Sequence, residues 1–276
     1  MKKYLFVSGD ARQRFAAEYI GKCGNEVAFA TTYTQLKTLI RWADALVLPL
    51  PMSRDRVHIN STPENGLITL EELLFLLGEG MTVYAGMPPL DFLQRAESKG
   101  IKLYDYYRDE ALAIYNSVST AEGVIYELIG GGNINIHGSK IAVFGYGKAA
   151  SAVSRRLVAL GAQVTVAARS QKALAQAESD NCKAVELYGI ERFAGGFDFV
   201  VNTVPSVIIR ESFIEKLPKH CFMLEIASSP YGIDFDAAKK HGINVKIAPS
   251  LPGRISPRSA GEAIAQTILN DMVVAK

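Results

Sequence analysis

Residues 140–170, KIAVFGYGKAASAVSRRLVALGAQVTVAARS, decide the fold. An apolar run from Ile141 to Phe144 enters the turn Gly145-Tyr146-Gly147-Lys148-Ala149-Ala150. Val153, Leu157 and Leu160 then recur at helical spacing, and a second apolar run spans Val164 to Ala168. Strand, glycine turn, helix and strand in that order make a dinucleotide-binding unit. The requirement at the turn is steric. The first glycine makes the bend, a side chain at the middle one would hold a pyrophosphate off the backbone, and a small third residue, here Ala150, lets the helix pack on the strand. A glycine turn by itself also forms for packing reasons, so the reading rests on the elements that flank it.

The end of the second strand reads the cofactor. A site built for NAD places an acid there to hold the ribose 2′-hydroxyl. In this chain the place is taken by Arg169, with Ser170 beside it and Lys172 one turn further on. An acid would repel a 2′-phosphate, whereas a guanidinium offers it a planar fork of donors and the lysine adds a second charge. With no acid close by in the sequence, the expected cofactor is NADP, with NAD less favoured. The bland alternative for Arg169 is a solvated charge at a strand end.

Outward from this unit, FDFVVNTV at 197–204, CFMLEIA at 221–227 and INVKIAP at 243–249 continue a strand–helix alternation. The nicotinamide of such a domain lies along the carboxyl ends of its strands. That adds Thr203, Val204, Pro205, Ala227 and Ser228 to the turn residues as cofactor-binding candidates. The N-terminal half has the same alternation, with YLFV at 4–7, EVAFA at 26–30, ALVLPL at 45–50, TVYAG at 82–86 and IKLYDY at 101–106. Its opening, YLFVSG, aligns with KIAVFG, but Ala11 and Arg14 stand where Gly147 and Ala150 do. The first half is therefore not expected to bind a dinucleotide. Its Gly9-Asp10-Ala11-Arg12-Gln13 turn combines a helix mouth with a guanidinium and suits a small anion.

The expected class is α/β, with two doubly wound parallel sheets: a flavodoxin-like domain over 1–115 and a Rossmann domain over 136–256. A connecting helix is expected over 116–135, with Ser117, Ser119 or Thr120 as its N-cap and Gly130-Gly131-Gly132 as its stop. A last helix over 257–276 carries Ala260, Ile264, Ile268 and Met272 as one apolar stripe, expected to return to the first domain.

The chain has 276 residues, 49% hydrophobic, and a formal net charge of +2. That is ample for two cores and too balanced for a nucleic-acid or anionic-membrane surface. No apolar run is long enough for a membrane span, and three cysteines without a CxxC spacing argue against a disulfide framework or a zinc site, so no metal and a cytoplasmic location are expected. None of the four histidines, His58, His137, His220 and His241, is placed as an evident general base.

The architecture resembles that of formate and 2-hydroxyacid dehydrogenases, and the chemistry departs from it. Those enzymes use a histidine–acid pair and an arginine after the fifth strand of the cofactor domain; Ser228 and Ser229 stand near that arginine's place. A more specific resemblance covers nearly the whole chain. GDARQ at 9–13, AIYNSVSTAEGVI at 113–125, IHGSKIAVFGYGKAA at 136–150 and APSLPGRISPRSAGEAIAQTI at 248–268 are similar to the dipicolinate synthase A chain family. The resemblance implies oxidation of dihydrodipicolinate, or its hydrated precursor, to pyridine-2,6-dicarboxylate during sporulation. It also implies the second, flavoprotein-like subunit of dipicolinate synthase as partner, and the mother-cell cytoplasm. A homodimer or higher oligomer is expected.

A dicarboxylate substrate needs two anion sites. The candidates are Asp10 and Arg12; Tyr115, Asn116, Ser117 and Thr120 at the start of the connecting helix; and Arg254 and Arg258. Asn116, Ser117 and Ser228 are the catalytic candidates. Two other functions stay open, a nucleotide-binding regulatory protein without redox activity of its own and a divergent 2-hydroxyacid dehydrogenase-like oxidoreductase.

Overall fold

The computed structural model describes residues 1–62 and 65–274, and side chains as far as residue 270. The chain divides into two compact units, one formed by 1–115 with 257–276 and the other by 116–256.

In the first unit, β1 (Lys3–Val7), α1 (Ala11–Lys22), β2 (Glu26–Ala30), α2 (Tyr33–Leu39), β3 (Ala45–Val47), α3 (Leu70–Leu76), β4 (Thr82–Ala85), α4 (Leu90–Ser98) and β5 (Lys102–Asp105) follow one another. Among the described residues the strands form one parallel sheet in the order β2-β1-β3-β4-β5. This is the flavodoxin-like order, with the chain reversing direction between β1 and β3. The inner strands β1, β3 and β4 are short, almost wholly apolar runs because both of their faces are covered. Leu5, Val7, Leu46 and Val83 enter one core, and Tyr4, Phe6, Val47 and Tyr84 the other.

A long helix, α5 (Glu110–Gly131), follows. Its start differs from the expected one at 116. The Asp109 carboxylate accepts the Leu112 amide at 2.7 Å and caps the helix. Ser117 and Ser119 are buried in its interior, and the Thr120 hydroxyl donates to the Asn116 carbonyl one turn back, 2.7 Å away. These hydroxyls resemble caps in the sequence but serve packing and back-bonding in the structure.

The second unit runs through β6 (Lys140–Phe144), α6 (Lys148–Ala159), β7 (Gln163–Ala168), α7 (Gln171–Ser179), β8 (Lys183–Glu186), β9 (Phe199–Asn202), α8 (Glu211–Ile214), β10 (Phe222–Glu225), α9 (Phe235–Lys240), β11 (Asn244–Ile247) and α10 (Leu251–Ile255). Its parallel sheet has the order β11-β10-β9-β6-β7-β8. Counted from β6 this is the Rossmann order 3-2-1-4-5-6 read from the far edge. The edge strand β8 is an element that the sequence pattern did not reveal.

The last helix, α11 (Pro257–Val274), belongs to the first unit and packs along α1. Ala260, Ile264 and Ile268 are buried there, and a side chain at Gly261 would collide with the Arg12 carbonyl 2.5 Å away. Met272 lies outside the residues whose side chains are described. Among the described residues no helix is long and apolar enough to cross a membrane, and no His, Cys, Asp and Glu cluster could hold a metal ion.

Candidate functional site

The two glycines of the β6–α6 turn do different work. Gly145 has φ +91°, and a Cβ on it would lie 2.6 Å from Thr203 Oγ1 and 2.8 Å from Val204 Cγ2. Only glycine lets the loop after β9 close on the turn, where the Thr203 hydroxyl donates to the Phe144 carbonyl at 2.7 Å. Gly147 has an ordinary φ of −80° and is the N-cap of α6 without a side-chain cap bond. A Cβ there would meet nothing within 4 Å. Gly147 therefore offers the first-turn amides of α6 no side-chain acceptor, and the space where its Cβ would stand is open, as a pyrophosphate requires. Ala150 is buried beneath the helix, Ala149 is half-buried, and Lys148 is exposed at the helix start. At the matching place in the first unit, the Asp10 carboxylate accepts the Arg12 amide at 3.0 Å. Helix α1 is thus capped by its own acid.

A cavity of about 300 Å³ brings the turn residues Gly145, Tyr146 and Gly147 together with Arg169, Ser170 and Val204. Arg169 and Lys172 are exposed and form no hydrogen bond or ion pair among the described residues. Ser170 caps α7, its hydroxyl oxygen accepting the Ala173 amide at 3.2 Å, and its hydrogen remains available to donate. Tyr146 donates to Asp180 Oδ2 at 2.6 Å, and burial, seconded by that carboxylate, pushes its phenol well above the usual range. One expectation needs correcting. An acid does stand near Arg169: Glu186, at the end of β8, pairs in register with Ala168 and accepts from Gln171 Nε2 at 3.5 Å. Sequence distance hid it, because an unrecognised strand brings it alongside.

The loops after β9 and β10 are tied by a group that sequence reasoning missed. Glu225 ends β10 fully buried, and every partner of its carboxylate is a donor. Asn202 Nδ2 lies 2.8 Å from both oxygens, and the amides of Ala227 (2.9 Å), Gly232 (2.8 Å) and Ile233 (3.2 Å) complete the set. Asn202 Oδ1 in turn accepts the Val204 amide at 3.1 Å. Burial raises the Glu225 pKa, and the Gly232, Asn202, Ala227 and Ile233 donors pull the other way. One carboxylate thereby fixes the backbone of both loops that carry Thr203, Val204, exposed Pro205, buried Ala227 and exposed Ser228.

The substrate candidates are less alike in the structure than in the sequence. Arg12 is not an open helix-mouth charge. Its side chain is 7% exposed, its Nη2 lies 2.7 Å from Asp10 Oδ2 and also bonds the Leu50 carbonyl, and its Nε meets Asp10 at 3.0 and 3.2 Å. Arg254 does not face free space either, for it lies 3.0 Å from Glu127 on α5. Glu127 is itself buried and shared with Lys246 at 2.5 Å. Arg258 is exposed, stacked over Phe15 at 4.9 Å and 3.9 Å from Glu262. Tyr115, Asn116, Ser117 and Thr120 lie beyond the first turn of α5 and offer no helix-end amides, which corrects the expectation that they would. Tyr115 is exposed, Ser117 is buried, and Asn116 Oδ1 is buried without a hydrogen-bond partner.

Comparison with known proteins agrees with the geometry. Residues 3–107 match the N-terminal domain of the dipicolinate synthase A chain, and residues 128–230 match the NAD-binding domain of D-isomer specific 2-hydroxyacid dehydrogenases. The dipicolinate synthase A chain of Bacillus subtilis (strain 168) is 36% identical over 229 residues, covering 82% of this chain and 76% of that protein. The crystal structure of the dipicolinate synthase A chain from Bacillus halodurans superimposes with a TM-score of 0.86 at 27% identity, covering 100% of this chain and 98% of the other. The crystal structure of the Bacillus subtilis protein gives 0.84 at 26%, covering 99% and 96%. The second unit is thus a nicotinamide-dinucleotide-binding domain of the dehydrogenase type, and the chain belongs to the dipicolinate synthase A chain family.

Proposed function

We propose that this chain is the NADP-dependent dehydrogenase of dipicolinate formation, acting with the second subunit of dipicolinate synthase in the mother-cell cytoplasm during sporulation. The observation that carries the reading is the open glycine-turn cavity, with Arg169 and Lys172 unpaired at its edge, in a member of this family. The pyrophosphate lies on the first-turn amides of α6 over Gly147, and Arg169, Ser170 and Lys172 hold the 2′-phosphate. Thr203, Val204, Pro205, Ala227 and Ser228, kept in place by Glu225 and Asn202, line the nicotinamide. When bound, the oxidised nicotinamide accepts a hydride.

The substrate loses one ring hydrogen with its electron pair and a second as a proton, so dihydrodipicolinate and NADP⁺ give dipicolinate, NADPH and H⁺. A hydrated precursor first loses water. The product ring is aromatic, which makes the step strongly downhill and removes the need for a histidine–acid dyad. Residues 1–115 with the C-terminal helix form the substrate domain. There Asp10 orients Arg12, whose Nη1 is left to meet a carboxylate, and Tyr115 and Arg258 stay accessible. Thr120 supports the helix that carries Asn116 and Ser117; these two and Ser228 are the polar groups proposed to take up the departing proton. The working form is a homodimer or higher oligomer.

The test is an assay of purified chain with the cyclic precursor and NADP⁺, reading NADPH absorbance with and without the second subunit. Reduction of NADP⁺ that requires this chain is the expected result. Nucleotide binding without reduction under either condition overturns the reading and leaves a regulatory protein in its place.

A further inference from the structure

In the first unit the chain reverses direction between β1 and β3, and an open parallel sheet takes its ligand outside the carboxyl ends of the strands at such a point. Ser8 and Gly9 after β1, the first turn of α1, and Pro49 and Leu50 after β3 meet there. A Cβ on Gly9 would collide with Gln13 Cγ and lie 3.2 Å from Pro49 Cβ, and Arg12 Nη2 bonds the Leu50 carbonyl. The backbone of this crevice is satisfied, with the Ser8 amide on the Ala30 carbonyl at 2.9 Å and the Gly9 amide on the Asn60 carbonyl at 3.0 Å.

Its side chains are not. Ser8 Oγ, Gln13 Nε2 and Gln13 Oε1 are buried and have no hydrogen-bond partner among the described residues. Gln13 is 2% exposed and Ser8 4%. Buried polar groups are nearly always paired, so a primary amide unmet at both ends calls for a partner from outside the chain. Exchanging the oxygen and nitrogen of the amide changes nothing, because both positions are unmet. Ser8 also has φ +53°, a left-handed conformation that residues other than glycine seldom adopt, beside Gly9 at +92°. Strained backbone and unmet polar atoms together at a switch point mark a ligand site.

The inventory of these groups gives the chemistry of the ligand. Arg12 and Asp10 lie 2.7 Å apart and cancel in charge, so the crevice selects by its pattern of donors and acceptors. Arg12 Nη1, Gln13 Nε2 and the Ser8 hydroxyl can donate, whereas Gln13 Oε1 only accepts. A carboxylate meets the donors and leaves Oε1 unmet. A ligand that meets them all carries an O–H or N–H as well as a carboxylate. We propose that Gln13 and Ser8 are specificity-determining residues, through which this crevice takes the hydroxylated, hydrated precursor in preference to the aromatic product. The identity of the ligand rests on the function proposed above; the demand for a donor rests on Gln13. Dipicolinate, with its carboxyls ionised and its ring nitrogen unprotonated at neutral pH, offers acceptors only, so the crevice releases the product that the reaction forms.

The test is calorimetric titration of the full chain with two stable probes, dipicolinate and 4-hydroxypyridine-2,6-dicarboxylate. The second carries one more donor, an O–H or, in its pyridone form, an N–H. The proteins are the unaltered chain, Gln13→Met and Ser8→Gly, with thermal melting and NADP affinity read on the same samples. The unaltered chain is expected to bind the hydroxylated probe about tenfold or more tightly than dipicolinate, the scale of one buried hydrogen bond. Gln13→Met keeps the length of the side chain and removes both polar ends, so it should abolish the preference while melting is kept or raised and NADP affinity is unchanged. Ser8→Gly suits φ +53° and should lower the preference in part. Equal affinity of the unaltered chain for the two probes overturns the inference. A preference that survives in Gln13→Met also overturns it, and if melting falls in that variant the amide serves the fold through an ordered water. Should Gln13→Met fail to fold, an unchanged preference in Ser8→Gly overturns it instead. A preference that depends on Gln13 in a chain that does not reduce NADP⁺ defeats the proposed function alone. NADP⁺ reduction by a chain with no such preference defeats this site alone.

Discussion

Replacing Gly147 by Ser tests the cofactor site with opposite signs on two measurements. In the free protein the new Cβ points into open space and φ is −80°, so the change brings neither collision nor backbone strain. Serine also supplies the side-chain cap that α6 lacks. A serine N-cap exceeds glycine by a few tenths of a kcal/mol, and a less flexible unfolded chain adds about 0.4–1 kcal/mol. The free protein should therefore gain roughly 0.6–1.4 kcal/mol, a rise in melting temperature of about 1–6 °C for a chain of this size. The nucleotide should bind more weakly. The hydroxyl occupies a first-turn amide that a pyrophosphate needs, and the Cβ stands in its path. Losing one or two charge-assisted bonds of about 1.5–3 kcal/mol each predicts a drop of tenfold or more. NADP and NAD should suffer alike, because the pyrophosphate is common to both. Thermal melting without nucleotide and calorimetry with each nucleotide are the assays. Undiminished affinity for both nucleotides in a fully folded Gly147→Ser protein would refute the cradle.

Arg169→Ala should separate the two nucleotides instead, weakening NADP by about 1–2 kcal/mol once solvent screening of an exposed side chain is allowed for, and leaving NAD unchanged. Equal losses, or tighter NAD than NADP in the unaltered protein, would transfer the ribose-reading role to Glu186. Glu225→Gln should cost about 1–3 kcal/mol in urea unfolding, since either orientation of the amide turns an NH₂ toward backbone donors. The folded pKa of Glu225 lies above its unfolded value, so its contribution is full below the ordinary glutamate pKa and is lost as pH rises through the folded one. The deficit of the variant should therefore be largest in acid and shrink with rising pH. A deficit that grows with pH would mean that the donors outweigh burial.

The fold class was legible because buried parallel strands are near-continuous apolar runs. The runs YLFV at 4–7, EVAFA at 26–30, TVYAG at 82–86, KIAVFG at 140–145, QVTVAA at 163–168 and FDFVVNTV at 197–204 each contain most or all of a strand of the structure. Strand β8 escaped notice because KAVE sits at a sheet edge, where Lys183 and Glu186 are exposed and burial imposes little pattern. With it went Glu186, whose place beside Ala168 is a matter of sheet register. The glycine turn and Arg169 could be found by spacing along the chain, and the structure gathers both into one cavity. Arg12 and Arg254 read as available cations because the sequence shows charge and not its neutralisation. Asp10, two residues from Arg12, is a neighbour the sequence does show, but the Leu50 carbonyl and Glu127 engage these guanidiniums through contacts that no periodicity announces. Glu225 was hidden differently, as an acid at the end of the apolar run CFMLEIA, where a strand-end carboxylate ordinarily faces water.

The return of α11 to α1 has a consequence for how the chain acquires its structure during synthesis. The second unit is one uninterrupted stretch, 116–256, and all of its sheet has been made before the first unit has its last helix. The first unit waits for Ala263, Ile264, Ala265 and Ile268, which sit in the same core as Tyr4, Phe6 and Ile20 from the start of the chain. Until those residues emerge, the outer face of α1 lacks its cover, and burying Ile264 and Ile268 alone is worth about 1.5–3 kcal/mol each. The segment 1–115 is thus translated before the Rossmann unit and completed after it. Premature termination a few turns before the end would leave the Rossmann sheet whole and the flavodoxin-like unit unfinished.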